Sequence, residues 1–206
     1  MPISNERKER LRYSIINAGI DEFVSHGYAA SSVDAIIRKA GGSKTNVYTH
    51  FGGKKGLFIA SIKVLCGQIL LPLRTIDLPE GDVAQALFHF GSIFLEAILS
   101  DSAIQLVRLI IAETPRFPDL AGIFLESGPN YAQRELTKYI EREPVRRSFK
   151  TDLKPELIAT QFLNMISRDQ QMRLLLGAGD PPTSKEKNEI IRSALALLLG
   201  PVSCGD

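Results

Sequence analysis

The amino-acid sequence predicts an all-α protein of about nine helices, in which a short helix-turn-helix segment precedes a larger helical bundle. Apolar residues recur at helical spacing along almost all of the 206 residues, and no stretch alternates as a strand would. Glycine and proline fall between the periodic segments, where they favour helix ends. The content of 44% hydrophobic and 23% charged residues is that of an ordinary globular protein.

Four helices are expected in the first part of the chain, with predicted ranges 5–26, 33–40, 44–50 and 54–71. Gly27 can end the first of them, and Pro72 can end the fourth. Ser31, with Asp34 three residues later, has the spacing of a capping box ahead of the second helix. The pair Gly41–Gly42 separates the second helix from the third.

The rest of the chain is expected to form a helical bundle, with helices over residues 82–99, 102–113, 118–143, 155–176 and 183–199. The third of these contains Ser127–Gly128–Pro129 and can break there. Pro155 is a favourable first residue for a helix. Thr183 and Glu186 repeat the capping-box spacing ahead of the last helix.

The apolar residues of the last two predicted helices also predict that the protein associates with itself. The two helices carry a large apolar set that includes Leu174–Leu176, Ile190, Ile191, Ala194, Leu195, Leu197, Leu198 and Leu199. A monomer rarely exposes so large an apolar surface, and two-fold packing of two copies would bury it. We therefore expect a homodimer whose interface is formed by these helices.

Charge and motif content narrow the function classes. The net charge is +2, divided into +5 for residues 1–63 and −3 for the remainder. A basic first segment suggests that it binds a polyanion, and an unevenly charged solvated surface explains it equally well. The sequence has no P-loop, GxSxG, HExxH or GxGxxG motif and no Cys–His pair, so we expect no enzyme, cofactor or metal site.

The cysteines and the apolar runs bear on location. Cys66 and Cys204 form neither a CxxC pair nor a disulfide framework. Cys66 lies on the fourth predicted helix and is expected to be a packing residue. No run approaches the roughly 18 apolar residues of a membrane span, and no signal-peptide core follows the first residues. We therefore expect a cytoplasmic protein without a membrane partner.

Residues 32–51 have the helix-turn-helix pattern, and the second helix of this pair is rich in hydrogen-bond donors. A helix of this size is roughly 10 Å long and fits across a DNA major groove about 12 Å wide. Ser32 and Ser43 stand at helix N-termini, where free N–H groups can bind phosphate. Lys54 and Lys55 can reach the flanking DNA backbone. The same pattern also fits a small helical domain whose polar helix merely faces water.

Residues 11–58 resemble the N-terminal domain of TetR-family transcriptional regulators. The matching features occur in order and without gaps: Phe23, Gly27–Tyr28, Ser32–Val33, Ile36, Ala40–Gly41, Ser43–Lys44, Tyr48, His50–Phe51, Lys55 and Leu57–Phe58. Arg108–Glu113 followed by Arg116–Phe117–Pro118 is similar to one subgroup of the family's effector domains. The resemblance implies a ligand-responsive repressor that binds a palindromic operator as a dimer. It also implies a DNA-binding domain over 1–53 and a ligand-binding and dimerisation domain over 54–206.

The resemblance assigns roles to individual residues. The candidate DNA-binding residues are Ser32, Ser43, Lys44, Thr45, Asn46, Tyr48, Thr49, His50 and Lys55. Lys44, Thr45, Asn46 and Thr49 would lie on the groove face, the others would contact phosphates, and Val47 and Phe51 would be buried. Gly42, Thr45 and Thr49 depart from the residues common in the family, which leaves the base preference open.

In the family, part of the C-terminal core is hollow and binds a small effector. The candidate effector-binding residues here are Phe90, Phe94, Gln105, Phe124, Gln161, Phe162 and Met165. The aromatic residues are first of all core, and Gln105 and Gln161 can point into a cavity, into a dimer interface or outward. The alternative function is a helical adaptor of the same fold that binds no operator. The intact segment from Ser43 to Lys55 argues against that alternative.

Overall fold

The computed structural model describes residues 3–149 and 151–200, which contain no β-strand. Twelve α-helices follow one another in this part of the chain: α1 (Ile3–Ala30), α2 (Val33–Ala40), α3 (Lys44–Phe51), α4 (Lys54–Ile69), α5 (Leu71–Arg74), α6 (Val83–Ile98), α7 (Asp101–Glu113), α8 (Asp119–Ser127), α9 (Pro129–Ile140), α10 (Glu143–Arg146), α11 (Pro155–Leu176) and α12 (Ser184–Leu199). The all-α class is therefore confirmed. Cys204 lies outside the described residues.

The helices form two compact units. Unit 1 contains the described part of Met1–Gln68 together with Gln105–Ser127. Unit 2 contains Ile69–Ile104 together with the described part of Gly128–Asp206. The chain passes from one unit to the other at the end of α4, within α7 and after α8.

Unit 1 is organised around large side chains from α1 to α4. Phe23 of α1, Ile36 of α2, Val47 of α3 and Phe58 of α4 are all buried. The rings of Phe23 and Phe58 meet edge to face, with centroids 5.0 Å apart. Helices α2 and α3 have eight residues each, which is too short for stability in water, so these core contacts hold them in place.

Unit 2 has its core between α6, α9, α11 and α12. Phe90 of α6 and Phe162 of α11 are buried there. A Cβ atom added to Gly91 would lie 3.1 Å from Cζ of Phe162, so α6 and α11 approach closely at this glycine. The buried ring of Tyr139 on α9 has its hydroxyl satisfied, because it donates to the carbonyl oxygen of Pro79 at 2.8 Å.

Several predicted helix boundaries are confirmed. Helices α2 and α11 have the predicted ranges. Gly27 breaks α1, with φ 70° and ψ 175°, although helical turns continue to Ala30. The predicted break at Ser127–Gly128–Pro129 separates α8 from α9. Thr183 and Glu186 form the predicted capping box of α12.

The predicted cap of α2 was wrong by one residue. Ser32, and not Ser31, is the N-cap, and its Oγ accepts a hydrogen bond from the Ala35 amide at 3.4 Å. Ser31 instead donates from its hydroxyl to the carbonyl oxygen of Tyr28 at 2.8 Å. The two adjacent serines therefore stabilise different parts of the same turn.

Two prolines begin short helices where the sequence analysis expected helix ends. Pro72 lies in the first turn of α5, and Pro144 lies in the first turn of α10. A proline fits there because its missing N–H would have no partner within the first turn. These one-turn helices, and the division of the predicted helix 118–143, account for twelve helices where about nine were expected.

The apolar residues of α11 and α12 face in two directions. Leu195 is 3% exposed and, with Ile191 and Ala194, packs in the core of its own unit. The sequence analysis had assigned these three to an interface between copies. The strongly exposed apolar side chains of the two helices are instead Leu176, at 75%, and Leu197, at 78%, together with Met172.

Candidate nucleic-acid interface

Two glycines shape the turn of the helix-turn-helix. Gly41 and Gly42 have φ values of 80° and 95°, a region that favours glycine over other residues. A Cβ atom at Gly42 would also lie 3.2 Å from Cδ1 of Leu11. The departure from the family pattern at Gly42 therefore has a local structural reason, since a side chain there would be strained and crowded.

Helix α3 has a buried side and a solvent-facing side. Val47 is 0% exposed and anchors the helix in unit 1. Tyr48 is 65% exposed, and Lys44, Thr45 and Thr49 are also exposed. Residues four apart lie above one another on a helix, so the pairs 44/48 and 45/49 form one continuous exposed surface. His50 is half-buried at the edge of this surface.

Asn46 is engaged at the start of α3. Its Oδ1 accepts hydrogen bonds from the Ser43 amide at 2.8 Å and from the Ser43 hydroxyl at 2.9 Å. These contacts hold the first turn in the manner of a capping box. The sequence analysis placed both residues in the DNA-binding set but missed their pairing, although a serine cap with asparagine three residues later is its sequence signal. Both cap contacts use the side-chain oxygen of Asn46, and its side-chain amide nitrogen takes part in neither.

Lys44 is held by a carboxylate from the preceding helix. Its Nζ lies 2.9 Å from Oδ1 of Asp34, and both side chains are more than half exposed. The hydrogen bond that Lys44 donates to Asp34, followed by the attraction of the Asp34 charge, raises the pKa of Lys44 above its ordinary value. The ammonium group is therefore charged at neutral pH and already has an anionic partner, with which a DNA phosphate would compete.

The two lysines at the start of α4 have different surroundings. Lys54 donates to the carbonyl oxygen of Ser31 at 2.6 Å and lies 4.6 Å from the ring centroid of Tyr28. Burial, followed by the nearby charge of Arg116, lowers the pKa of Lys54. Lys55 is exposed, with Nζ 5.6 Å from the ring centroid of Phe117. Lys54 is thus a structural residue, and Lys55 is the one whose charge faces solvent.

Arg12 belongs with the candidate interface and was not predicted. Its guanidinium carbon lies 5.7 Å from the ring centroid of Phe51, at the end of α3, and 6.0 Å from that of Tyr13. Within the described residues it has no carboxylate partner, in contrast to Lys44. Its signal in the sequence was only membership of the basic group at 7–12, which does not show proximity to α3.

The predicted effector residues do not form one cluster within a unit. Phe90, Phe94 and Phe162 are buried in the core of unit 2, where the first two rings stack with centroids 6.5 Å apart. Gln161 and Met165, also in unit 2, are exposed. Gln105 is exposed and Phe124 half-buried, and both belong to unit 1.

An open groove of about 790 Å³ lies along α11 and α12 of unit 2. Met165 and Leu197 supply apolar surface to it, and Asp180, Glu186 and Glu189 supply carboxylates. Of these carboxylates, Glu186 has its pKa lowered by a hydrogen bond from the Thr183 amide. The groove therefore combines an apolar strip with a negatively charged edge.

The described residues contain no cluster of three or more metal-ligating side chains. Cys66 is buried, and burial raises the pKa of its thiol to about 11. A thiol with such a pKa carries almost no thiolate at neutral pH, so it is a poor nucleophile. Its packing role agrees with the sequence analysis.

Comparison with known proteins bears on both parts of the chain. The model of the bacterial regulatory proteins of the tetR family matches residues 15–61, which include α2 and α3. The model of the C-terminal domain of AefR-like transcriptional repressors matches residues 85–200, more than half of the chain. The chain is a member of the TetR family of transcriptional regulators. It is therefore a DNA-binding regulator with a helix-turn-helix, and not an enzyme.

Individual relatives agree with this assignment. The flavonoid-responsive regulator FrrA is 30% identical, with a TM-score of 0.75, over 92% of this chain and 95% of FrrA. A structure of a TetR-family regulator from Mesorhizobium loti is 24% identical with the same TM-score, over 93% of this chain and 98% of the other. YvkB of Bacillus subtilis, an uncharacterized HTH-type regulator, is 24% identical over 92% of this chain and 95% of its own.

Within residues 3–149 and 151–200, none of the helices is both long enough and apolar enough to cross a membrane.

The family assignment also indicates what this regulator has in common with its relatives. Repression and dimer formation are typical of TetR-family members, and the matched C-terminal domain carries the name of a repressor group. The exposed surface of α3 is accordingly the candidate DNA-reading surface of this regulator.

Proposed function

We propose that this TetR-family member is a ligand-responsive repressor that binds a palindromic operator as a homodimer. The observation that carries the proposal is the presence, in one chain, of a helix-turn-helix with an exposed α3 and a C-terminal domain matching AefR-like repressors. The helix-turn-helix would recognise the DNA sequence, and the C-terminal domain would bind the ligand.

The exposed surface of α3 would read bases, while its flanks would bind phosphates. Thr45 and Thr49 face solvent and can reach base edges in the major groove, and the exposed Lys44 beside them can reach a base edge or an adjacent phosphate. Ser32 caps α2, whose N-terminal N–H groups can receive a phosphate oxygen. Ser43 and Asn46 act first through the cap that fixes α3, and the Asn46 amide nitrogen is available to a base. Tyr48, His50 and Lys55 would hold the backbone on either side.

The exposed apolar side of α11 and α12 would form the dimer interface. Met172, Leu176 and Leu197 present apolar surface that a second copy related by two-fold symmetry would bury. Two-fold symmetry in the protein requires a palindromic operator, with half-sites about 34–36 Å apart so that both α3 helices enter the major groove on one side of the duplex.

The effector would bind among the aromatic side chains of unit 2. FrrA, which is described as flavonoid-responsive, is 30% identical, so planar aromatic compounds are the first ligands to test. Phe90, Phe94 and Phe162 offer ring faces for such a ligand. Gly91 is close to Phe162, so a ligand between the rings must separate α6 from α11. Binding would thus favour a second conformation, and by linkage lower operator affinity.

The test combines footprinting with titration. Footprinting of the promoter region beside the protein's own gene should show a protected palindrome, and flavonoids added to the complex should release it at concentrations that leave a non-specific duplex unaffected. Protection that no planar aromatic compound changes would reject this ligand class. Absence of any sequence-specific protection, in this region and in selected random duplexes, would favour the adaptor function.

A further inference from the structure

The end of α7 contacts the DNA-binding helices within unit 1. Oε1 of Glu113 accepts a hydrogen bond from the Tyr28 amide at 2.9 Å. Tyr28 lies in the range matched by the DNA-binding domain, and Glu113 lies in the range matched by the C-terminal domain. This hydrogen bond therefore joins the two family domains inside one compact unit.

The Tyr28 amide needs such a partner because of Gly27. The φ of 70° and ψ of 175° at Gly27 break α1 just before Tyr28. A backbone N–H released from a helix and shielded from water must find another acceptor, or folding pays the cost of its desolvation. Glu113 provides this acceptor with a full negative charge, which makes the hydrogen bond a strong one.

The Tyr28 ring also contacts the segment that follows Glu113. Its centroid lies 4.6 Å from that of Phe117, edge to face, and 5.1 Å from that of Phe58 in α4. The guanidinium carbon of Arg116 lies 4.9 Å from the ring centroid of Tyr28. Contacts of cations and rings at such distances stabilise one ring position. Residues 113–117 thus fix both the backbone and the side chain of Tyr28.

Tyr28 also helps to fix the backbone of residues 28–32, which lead to α2. Its carbonyl oxygen accepts from the Ser31 hydroxyl at 2.8 Å, and Lys54 holds the Ser31 carbonyl oxygen at 2.6 Å. The amide of Ser32 donates to Oε1 of Glu22 at 3.0 Å, and Ser32 then caps α2. Ser32 is only four positions after Tyr28, so a displacement at Tyr28 changes the position from which α2 begins.

We propose that Glu113, Arg116 and Phe117 are positioning residues for DNA recognition. They act on DNA through Tyr28 and the turn 28–32, which sets the position of α2 and, through it, of α3. None of the three needs to touch DNA. This role gives a reason for Glu113, Arg116 and Phe117 in the sequence motif of residues 108–118, because these three residues complete unit 1, which contains the helix-turn-helix.

The experiment compares four forms of the full-length protein: wild type, Glu113→Ala, Glu113→Gln and the control Glu141→Ala. Glu141 is an exposed glutamate at the end of α9 in unit 2 and makes no ion pair within the described residues. Each form is titrated with an operator duplex selected by the wild-type protein from a random library, and with a random duplex of equal length. Amide hydrogen exchange of residues 28–32 is measured in parallel.

A positioning role predicts a specific pattern. Glu113→Ala should lose roughly tenfold in operator affinity and in protection of the Tyr28 amide, because a charged hydrogen bond is removed. Its affinity for the random duplex should stay within about twofold, since the charges that face DNA are unchanged. Glu113→Gln, which retains an acceptor oxygen, should recover most of both losses, and Glu141→Ala should behave as wild type.

Two results would overturn the proposal. One is an equal loss of affinity for both duplexes in Glu113→Ala, which would indicate general destabilisation or a direct phosphate effect. The other is unchanged operator affinity despite lost protection at Tyr28. If Glu113→Ala does not fold, Phe117→Leu is titrated in its place, because it keeps an apolar side chain while removing the ring contact. It must also weaken operator binding selectively.

Discussion

Replacing Asp34 by asparagine is predicted to make DNA binding by this regulator more sensitive to salt. Asp34 holds Lys44 at 2.9 Å, on the solvent-facing side of the helix-turn-helix. In the wild-type protein a phosphate that approaches Lys44 must displace this carboxylate or tolerate its negative charge. Asparagine keeps the shape of the side chain and removes the charge, so Lys44 becomes free to neutralise a phosphate.

The size of the effect follows from counterion release. Each phosphate neutralised by a cation contributes about 0.9 to the slope of log affinity against log salt concentration. One additional free lysine per protomer should steepen the slope by up to about 0.9, or about 1.8 for a dimer on two half-sites. A fourfold dilution of salt should then strengthen the variant by up to about twelvefold relative to wild type. Fold stability should change little, because an exposed ion pair contributes little to it.

The assay is fluorescence anisotropy with an operator duplex over a series of salt concentrations. Glu143→Gln is the matched control, because it breaks another exposed ion pair, to Arg147 at 3.0 Å in unit 2, with the same change of charge. The control should retain the wild-type slope. If Asp34→Asn also retains the wild-type slope, Lys44 does not contact phosphate and the reasoning from its ion pair is refuted.

Three further outcomes are expected. Leu197→Glu should sediment as a monomer with unchanged helix content by circular dichroism, whereas Leu195→Glu should lower the melting temperature, because Leu195 is buried in its own unit. A hydrogen bond from the Thr183 amide holds the pKa of Glu186 below 4.5, so the ionised group stabilises the fold above pH 4.5 and this contribution disappears as pH falls through the lower folded pKa. Calorimetry should therefore show Glu186→Gln melting below wild type at pH 7, with the difference between the two melting temperatures shrinking as the pH falls through the folded pKa of Glu186. Burial raises the pKa of Cys66 from 9.0 to about 11, so its alkylation at pH 8 in a Cys204→Ser background should be roughly 100-fold slower in the native protein than in urea, as measured by mass spectrometry.

The helix boundaries that the sequence predicted correctly depend on local chemistry. Thr183 and Glu186 cap α12 through contacts between residues three apart, so neighbours in sequence suffice to identify them. The cap of α2 could not be assigned in this way, because Ser31 and Ser32 are both suitable. The choice between them depends on Glu22, which binds the Ser32 amide from ten residues away. Pattern alone contains no information on that contact.

The candidate site was predictable to a similar limit. Exposure of Lys44, Thr45 and Thr49 followed from a polar helix that buries Val47. The position of Arg12 near α3 did not follow, because it requires the packing of α1 against α3. The effector residues were the least predictable. An apolar helix does not reveal which of its side chains face a core, and Gln105 and Gln161 proved exposed.

The DNA-binding half of this regulator separates the residues that hold α3 from the residues that α3 presents. Val47 anchors the helix from inside, and the Ser43–Asn46 cap fixes its first turn. Thr45 and Thr49 have no part in either contact. Substitutions at these two positions are therefore expected to alter the proposed base reading at little cost in stability, since exposed positions tolerate replacement. The same division explains why the family departures at Thr45 and Thr49 leave the fold intact, whereas the departure at Gly42 is required by its backbone conformation.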